Sequence, residues 1–105
     1  MRTDFADLGR FTDISLLILL SLAEGEKHGY AMIEDIERFS GTHLEPGTLY
    51  GALMRLEKKG WIAPLPAEDR RHPYRLTAAG AAALREQLAT LRRIVMTGVE
   101  RLVLA

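Results

Sequence analysis

A chain of 105 residues, 48% hydrophobic and only 7% aromatic, suffices for one domain with an aliphatic core and is too short for two. It has no cysteine, which excludes disulfides and thiolate metal sites; with no signal-peptide pattern at its start and no apolar run beyond residues 16–20, a cytoplasmic protein that does not enter the membrane is expected. Fourteen Lys and Arg offset fourteen Asp and Glu, an unpromising total for a nucleic-acid binder, but residues 1–42 hold 4 basic and 8 acidic groups, so the rest of the chain is net basic.

Residues 1–12 are expected to form an arm or short helix, with Phe5, Leu8 and Phe11 packing on a partner chain. The first strong helix spans residues 13–23. Thr12 or Asp13 supplies its N-cap, Leu and Ile surround it almost fully, and Glu24-Gly25 closes it. A second helix starts near His28-Gly29, sets Met32, Ile33, Ile36 and Phe39 at helical spacing, and stops at Gly41. A third begins at Glu45-Pro46. Proline costs no hydrogen bond at a first helical position, and Gly60 follows Lys58-Lys59 as the stop. Leu49, Ala52, Leu53 and Leu56 form its apolar stripe.

Two short extended pieces come next, residues 61–65 and 73–76, joined by a polar turn that carries Arg70 and Arg71. They predict a β-hairpin whose strands are kept short by Pro64 and Pro73. Trp61, just after Gly60, either packs under this hairpin or lines a ligand pocket at a dimer interface. Thr77 then caps a long final helix. Leu84, Leu88, Leu91, Val95, Gly98 and Leu102 alternate in steps of four and three along it, the seam of a helix that packs on another helix.

Three helices, a hairpin and a long helix give a mainly α fold with a small β-hairpin: a winged helix-turn-helix over residues 13–76 and a dimerisation helix over residues 77–105, in a single domain. In helix-turn-helix proteins the second helix of the motif enters the major groove; here that is the third helix of the chain. With its stripe in the core, Gly47, Gly51, Met54 and Lys58 point directly away, Thr48 and Arg55 lie on one flank and Tyr50 on the other. Glycine in a helix costs roughly 1 kcal/mol relative to Ala. Close approach to DNA gives a reason for two of them, and chance placement on a solvated face is the rival reading. Arg70, Arg71 and Arg75 suit phosphates or the minor groove, or pair with Glu68 and Asp69. Tyr30 is either a core residue with a wet hydroxyl or a DNA contact. His28, His43 and His72 are scattered, and no metal, cofactor or catalytic residue is expected: the chain has no glycine-rich phosphate loop, nucleophile elbow or metal motif.

Four motifs, in order and with matching gaps, carry a resemblance: His28-Gly29-Tyr30; Pro46-Gly47-Thr48-Leu49-Tyr50; Leu53-Met54-Arg55-Leu56-Glu57-Lys58-Lys59-Gly60; and Tyr74-Arg75-Leu76-Thr77-Ala78-Ala79-Gly80. Over residues 14–88 the chain resembles the PadR family of transcriptional regulators. The resemblance implies a winged-helix binder of double-stranded DNA that dimerises through its C-terminal helix. Many such proteins are repressors, and some respond to phenolic acids or bind flat hydrophobic drugs. By motif it implies that Tyr30, Thr48, Tyr50 and Arg55 lie near DNA and that Arg70 and Arg71 make the wing contacts. A final helix ending at Ala105 resembles the short subfamily, which has one dimer helix. The match departs at His72-Pro73, where such proteins often carry further basic or aromatic residues.

The expected DNA-binding set is therefore Tyr30, Pro46, Gly47, Thr48, Tyr50, Gly51, Arg55, Lys58, Arg70, Arg71 and Arg75. The expected partners are DNA, a second copy of the chain and a small hydrophobic or phenolic effector. The rival is a dimeric winged helix that binds another protein and not DNA, which the neutral net charge and the acidic first third favour.

Overall fold

The computed structural model describes residues 13–104; the arm expected over residues 1–12, with Phe5, Leu8 and Phe11, lies outside the described residues. The Asp13 carboxylate accepts the N–H groups of Ser15 (2.9 Å) and Leu16 (3.4 Å), satisfying donors that the first turn leaves free, and starts α1 (Ile14–Glu24). The following residues form β1 (Lys27–His28), a two-residue strand too short to leave a periodic trace in the sequence. The His28 ring Nδ1 accepts the Ala31 N–H at 3.4 Å and caps α2 (Gly29–Ser40), which ends at Gly41 in the left-handed conformation. Phe39, expected on the buried stripe, is exposed, because the last turn of α2 runs past the core.

Helix α3 (Pro46–Lys58) starts on proline as expected and buries Leu49, Ala52, Leu53 and Leu56. Those four join Leu17, Ile18, Leu19 and Leu22 of α1 and Met32, Ile33 and Ile36 of α2 in one core. Past Gly60, at φ 76°, come β2 (Ile62–Pro64) and β3 (Pro73–Leu76). The expected hairpin forms, with Ile62 opposite Leu76 and Pro64 opposite Tyr74. The proline of β3 costs little there: Pro73 contributes its carbonyl, which accepts the Leu65 N–H at 2.9 Å. The tip closes by paired backbone hydrogen bonds between Glu68 and Arg71, with Asp69 at φ 57°. The hairpin is one part of a larger sheet than expected, since β1 pairs with the other edge of β3 and gives the order β1-β3-β2.

Helix α4 (Ala78–Leu104) has 27 residues, a length of about 40 Å at 1.5 Å per residue. Its start is fixed by one residue. The Thr77 hydroxyl accepts the Gly80 N–H (3.0 Å) and donates to the Gly60 carbonyl (2.6 Å), while the Thr77 N–H donates to the Trp61 carbonyl (3.0 Å). The helix lies so close to this joint that a Cβ on Gly80 would overlap the Trp61 carbonyl oxygen. Leu84, expected in the dimer seam, is instead 5% exposed and belongs to the chain's own core. It lies only one turn beyond the joint, still against the helical layer. Beyond it α4 leaves the body, which gives the molecule its 55 Å long axis against 30 and 20 Å.

Two glycines should respond in opposite directions to alanine. Gly80→Ala forces α4 off the Trp61 backbone and should cost about 2 kcal/mol or more, a fall in Tm of roughly 10 °C. Gly51→Ala, whose new methyl meets only the flexible Arg55 side chain at 3.7 Å, should stabilise α3 by about 0.5–1 kcal/mol. Urea denaturation of both variants checks the contrast.

Candidate nucleic-acid interface

Burial of its stripe turns the opposite face of α3 to solvent, and Gly47, Thr48, Met54, Arg55 and Lys58 are all exposed there. Pro46 has no N–H, and the Leu49 N–H is used by the Glu45 carbonyl. The first turn therefore offers the amides of Gly47 and Thr48 outward. Tyr50 leans sideways from this face toward α2. Its hydroxyl lies so near Gly29 that a Cβ there would stand 2.6 Å from it. The glycine that opens α2 is thus what lets the two helices meet at this tyrosine.

Beside Tyr50 opens a cleft of about 170 Å³ lined by His28, Gly29, Tyr30, Tyr50, Arg70, Arg71 and His72. It gathers four expected site residues from three separate segments: Tyr30 from the first turn of α2, Tyr50 from α3, and Arg70 and Arg71 from the tip of the wing. Tyr30 is 70% exposed, so it is no core residue. His28 and His72 complete the wall, a pairing that sequence reading missed because the two lie 44 positions apart. It follows from the β1–β3 register, in which His28 stands opposite Pro73. Arg75 and Lys58 lie outside this cleft. Arg75 is exposed on β3 with Ala63 opposite it, while Lys58 ends α3.

The charges in and around this face are uncommitted. Among the described residues the ion pairs involve Lys27 and Arg38, the His43 ring lies beside Glu37 and Glu45, and Arg55, Lys58, Arg70, Arg71 and Arg75 are left unpaired. The contact between Glu68 and Arg71 is made by backbone alone, and no side-chain ion pair joins the acidic to the basic residues of the turn. Behind the wing, burial first, and then the nearby Glu57 and Tyr50, raise the Tyr74 phenol above its usual range and keep it neutral.

Away from this face, α4 carries a second surface. Leu88, Ile94, Val95, Met96, Val99 and Leu102 are exposed, a broader apolar band than the expected seam, while Leu91 is half-buried. Trp61 packs against the core. With Asp13, with Ser15, Leu16 and Leu19 of α1, and with Ala83 and Gln87 of α4 it lines a cleft of about 190 Å³, and Lys59 Nζ sits 4.6 Å above its ring. Among the described residues no cluster of His, Asp and Glu is fit for a metal, and no helix is long and apolar enough to cross a membrane.

The family model described as the transcriptional regulator PadR-like family matches residues 18–86, a span that holds α2, α3 and the wing entire. Over 85 residues (81% of the chain) the sequence is 44% identical to an uncharacterised 37.1 kDa protein in transposon TN4556 of Streptomyces fradiae, and it spans only 25% of that protein's length. It is 37% identical over 87 residues to the transcriptional regulator Rv3488 of Mycobacterium tuberculosis, covering 77% of this chain and 78% of that one. Among solved structures it is similar to a PadR family transcriptional regulator from Eggerthella lenta, at 32% identity and a TM-score of 0.73 over 93% of this chain and 87% of that one. With the family's pattern spanning both α3 and the wing, this chain belongs to the PadR-like family of transcriptional regulators.

Proposed function

We propose that this regulator binds DNA sequence-specifically as a homodimer on a palindromic operator, and that it acts as a repressor. The observation that carries the proposal is the convergence of Tyr30, Tyr50, Arg70 and Arg71 on one cleft beside the outward face of α3, with the arginines unpaired. In this reading the first half of α3 enters the major groove, where Gly47 and Gly51 let the backbone come close. Arg55 and Thr48 read base edges; a bidentate Arg–guanine pair discriminates by about 1–3 kcal/mol. Arg70 and Arg71 hold phosphates from the wing, the two tyrosine hydroxyls serve as phosphate donors, and Lys58 and Arg75 add charge at the margins. A second copy covers the exposed band of α4, and two-fold symmetry then sets half-sites roughly 34–36 Å apart. Repression follows from operator occupancy.

A second reading, a dimeric module that binds protein instead of DNA, draws on the zero net charge. Selection from a random duplex library separates the two. A DNA binder enriches a palindrome, and its affinity falls steeply with salt as counterions are released. Arg55→Ala and Tyr50→Ala should weaken binding to the enriched duplex by tenfold or more with the dimer intact. Arg71→Ala should also lower the salt slope by about 1, the share of a single phosphate partner. Failure to enrich any sequence defeats the proposal.

The dimer is checked separately. Val95 is 60% exposed in the single chain, so Val95→Glu leaves the fold in place and should give monomers in sedimentation; a persistent dimer rejects α4 as the interface. The same proposal includes a small aromatic effector, placed in the cleft beside Trp61, where apolar side chains meet the Lys59 ammonium, Ser15 and the Asp13 carboxylate. Trp61 is the only tryptophan of the chain. A phenolic acid such as p-coumarate should quench its fluorescence and release the duplex, and absence of both effects removes the effector from the proposal.

A further inference from the structure

Asp35 sits on α2 at 8% exposure, and an ionised carboxylate so placed needs partners. It has three. Its Oδ2 accepts the hydroxyl of Ser21, a fully buried residue of α1, at 2.7 Å. Its Oδ1 lies 3.3 Å from Arg38 Nη1, and Lys27 Nζ lies 4.0 Å from Oδ2. The same ammonium donates to the Ser21 carbonyl at 2.5 Å and lies 4.0 Å from Glu24 Oε1. Two cations and two carboxylates thus balance around one buried hydroxyl, and among the described residues no buried side-chain polar atom lacks a partner.

Lys27 is one of the two residues of β1, and this is what gives the cluster a further role. A two-residue strand has little hold of its own. Its residues stand opposite Tyr74 and Pro73, and the proline has no N–H to give. Strand β1 is held from the other side, by the Lys27 ammonium against α1 and α2 and by the His28 cap on α2. Strand β3 lies on β1 and leads straight back to Arg70, Arg71 and His72.

We propose that Ser21, Lys27 and Asp35 are positioning residues that fix the wing relative to α3, through β1, and so hold Arg70 and Arg71 at the right distance from the outward face of that helix. The functional consequence rests on the DNA-binding reading; the wing's placement does not. Apolar side chains of the same volume would serve stability as well or better, but they would not tie one strand residue to one carbonyl and one carboxylate. The Lys27 side chain is only 14% exposed, so it acts through the wing and touches no phosphate itself.

Lys27→Met keeps the stem and removes the ammonium. Amide hydrogen exchange of the free protein should speed up at least tenfold in residues 70–76 and stay unchanged in α3; unchanged exchange in the wing overturns the proposal. Affinity for a duplex selected by the wild-type protein should fall about tenfold. In a cycle with Arg71→Ala, the second substitution should then cost much less than it does alone. Full additivity overturns the coupling. Ser21→Ala, which removes one hydrogen bond and no charge, should give the same pattern at smaller amplitude, and it decides the matter if Lys27→Met does not fold. If the wild-type protein selects no duplex, the DNA-binding reading fails, and exchange alone decides where the cluster acts.

Discussion

Everything outward on this molecule depends on which face of α3 is spent inward. Leu49, Ala52, Leu53 and Leu56 fill the space between α1 and α2, and all four are essentially fully buried. A helix that commits one face so completely has no rotational freedom left: turning it by one residue would expose Leu53 and bury Arg55. The presentation of Gly47, Thr48 and Arg55 to solvent is therefore a consequence of core packing, and its precision is that of a close-packed interior. Glycine at position 51 loosens the helix slightly, and the stripe compensates by fixing it from behind.

A second constraint carries that geometry outward. The joint at Trp61, Thr77 and Gly80 gathers the end of α3, the return of the hairpin and the start of α4 within a few hydrogen bonds. One carbonyl and one hydroxyl do most of this, and the lack of a Cβ at Gly80 lets the helix approach them. Whatever α4 packs against beyond Leu84 is thus connected to α3 by a short, stiff path. In the proposed dimer, two copies of α3 would have to match a fixed repeat of DNA, and there such stiffness would matter more than added stability, since a loose joint would spread the half-site spacing over many values.

Sequence and structure agree where the determinants are local. Asp13, His28, Gly41, Pro46, Gly60 and Thr77 act within a few residues of themselves, and each bounds its helix as its chemistry dictates. The α3 stripe is equally local, being a matter of period. What escapes the sequence is non-local. Strand β1 has two residues and exists only because β3 comes alongside, so nothing in its own sequence marks it. Without β1 the sheet reads as a hairpin, and His28 and His72 read as scattered. Leu84 fits the heptad of α4, which points it at a partner, yet it lies within reach of this chain's own core. Periodicity gives the face of a helix and not what that face meets. The cleft is the largest gain from three dimensions: Tyr30, Tyr50 and Arg70–Arg71 are separate expectations along the chain, brought together by the β1–β3 register and by the meeting of α2 and α3 at Gly29.

The zero net charge, which at first argues against nucleic acid, is better understood through placement. Acidic side chains concentrate in the first third of the chain, and two of the acidic groups there, Glu24 and Asp35, are paired with Lys27 and Arg38. The cations of α3 and the wing are left without partners. A surface of this kind attracts a polyanion only at short range, because at physiological salt the field of the whole molecule is screened beyond about 8 Å. On the proposed DNA-binding reading, non-specific affinity would then be low, while the local cluster would still contribute once shapes match. On that same reading the arrangement favours specificity: competing genomic sites are bound almost wholly through charge, so removing the long-range term would weaken them more than it would weaken a site that also engages Arg55, Thr48 and the glycines of α3.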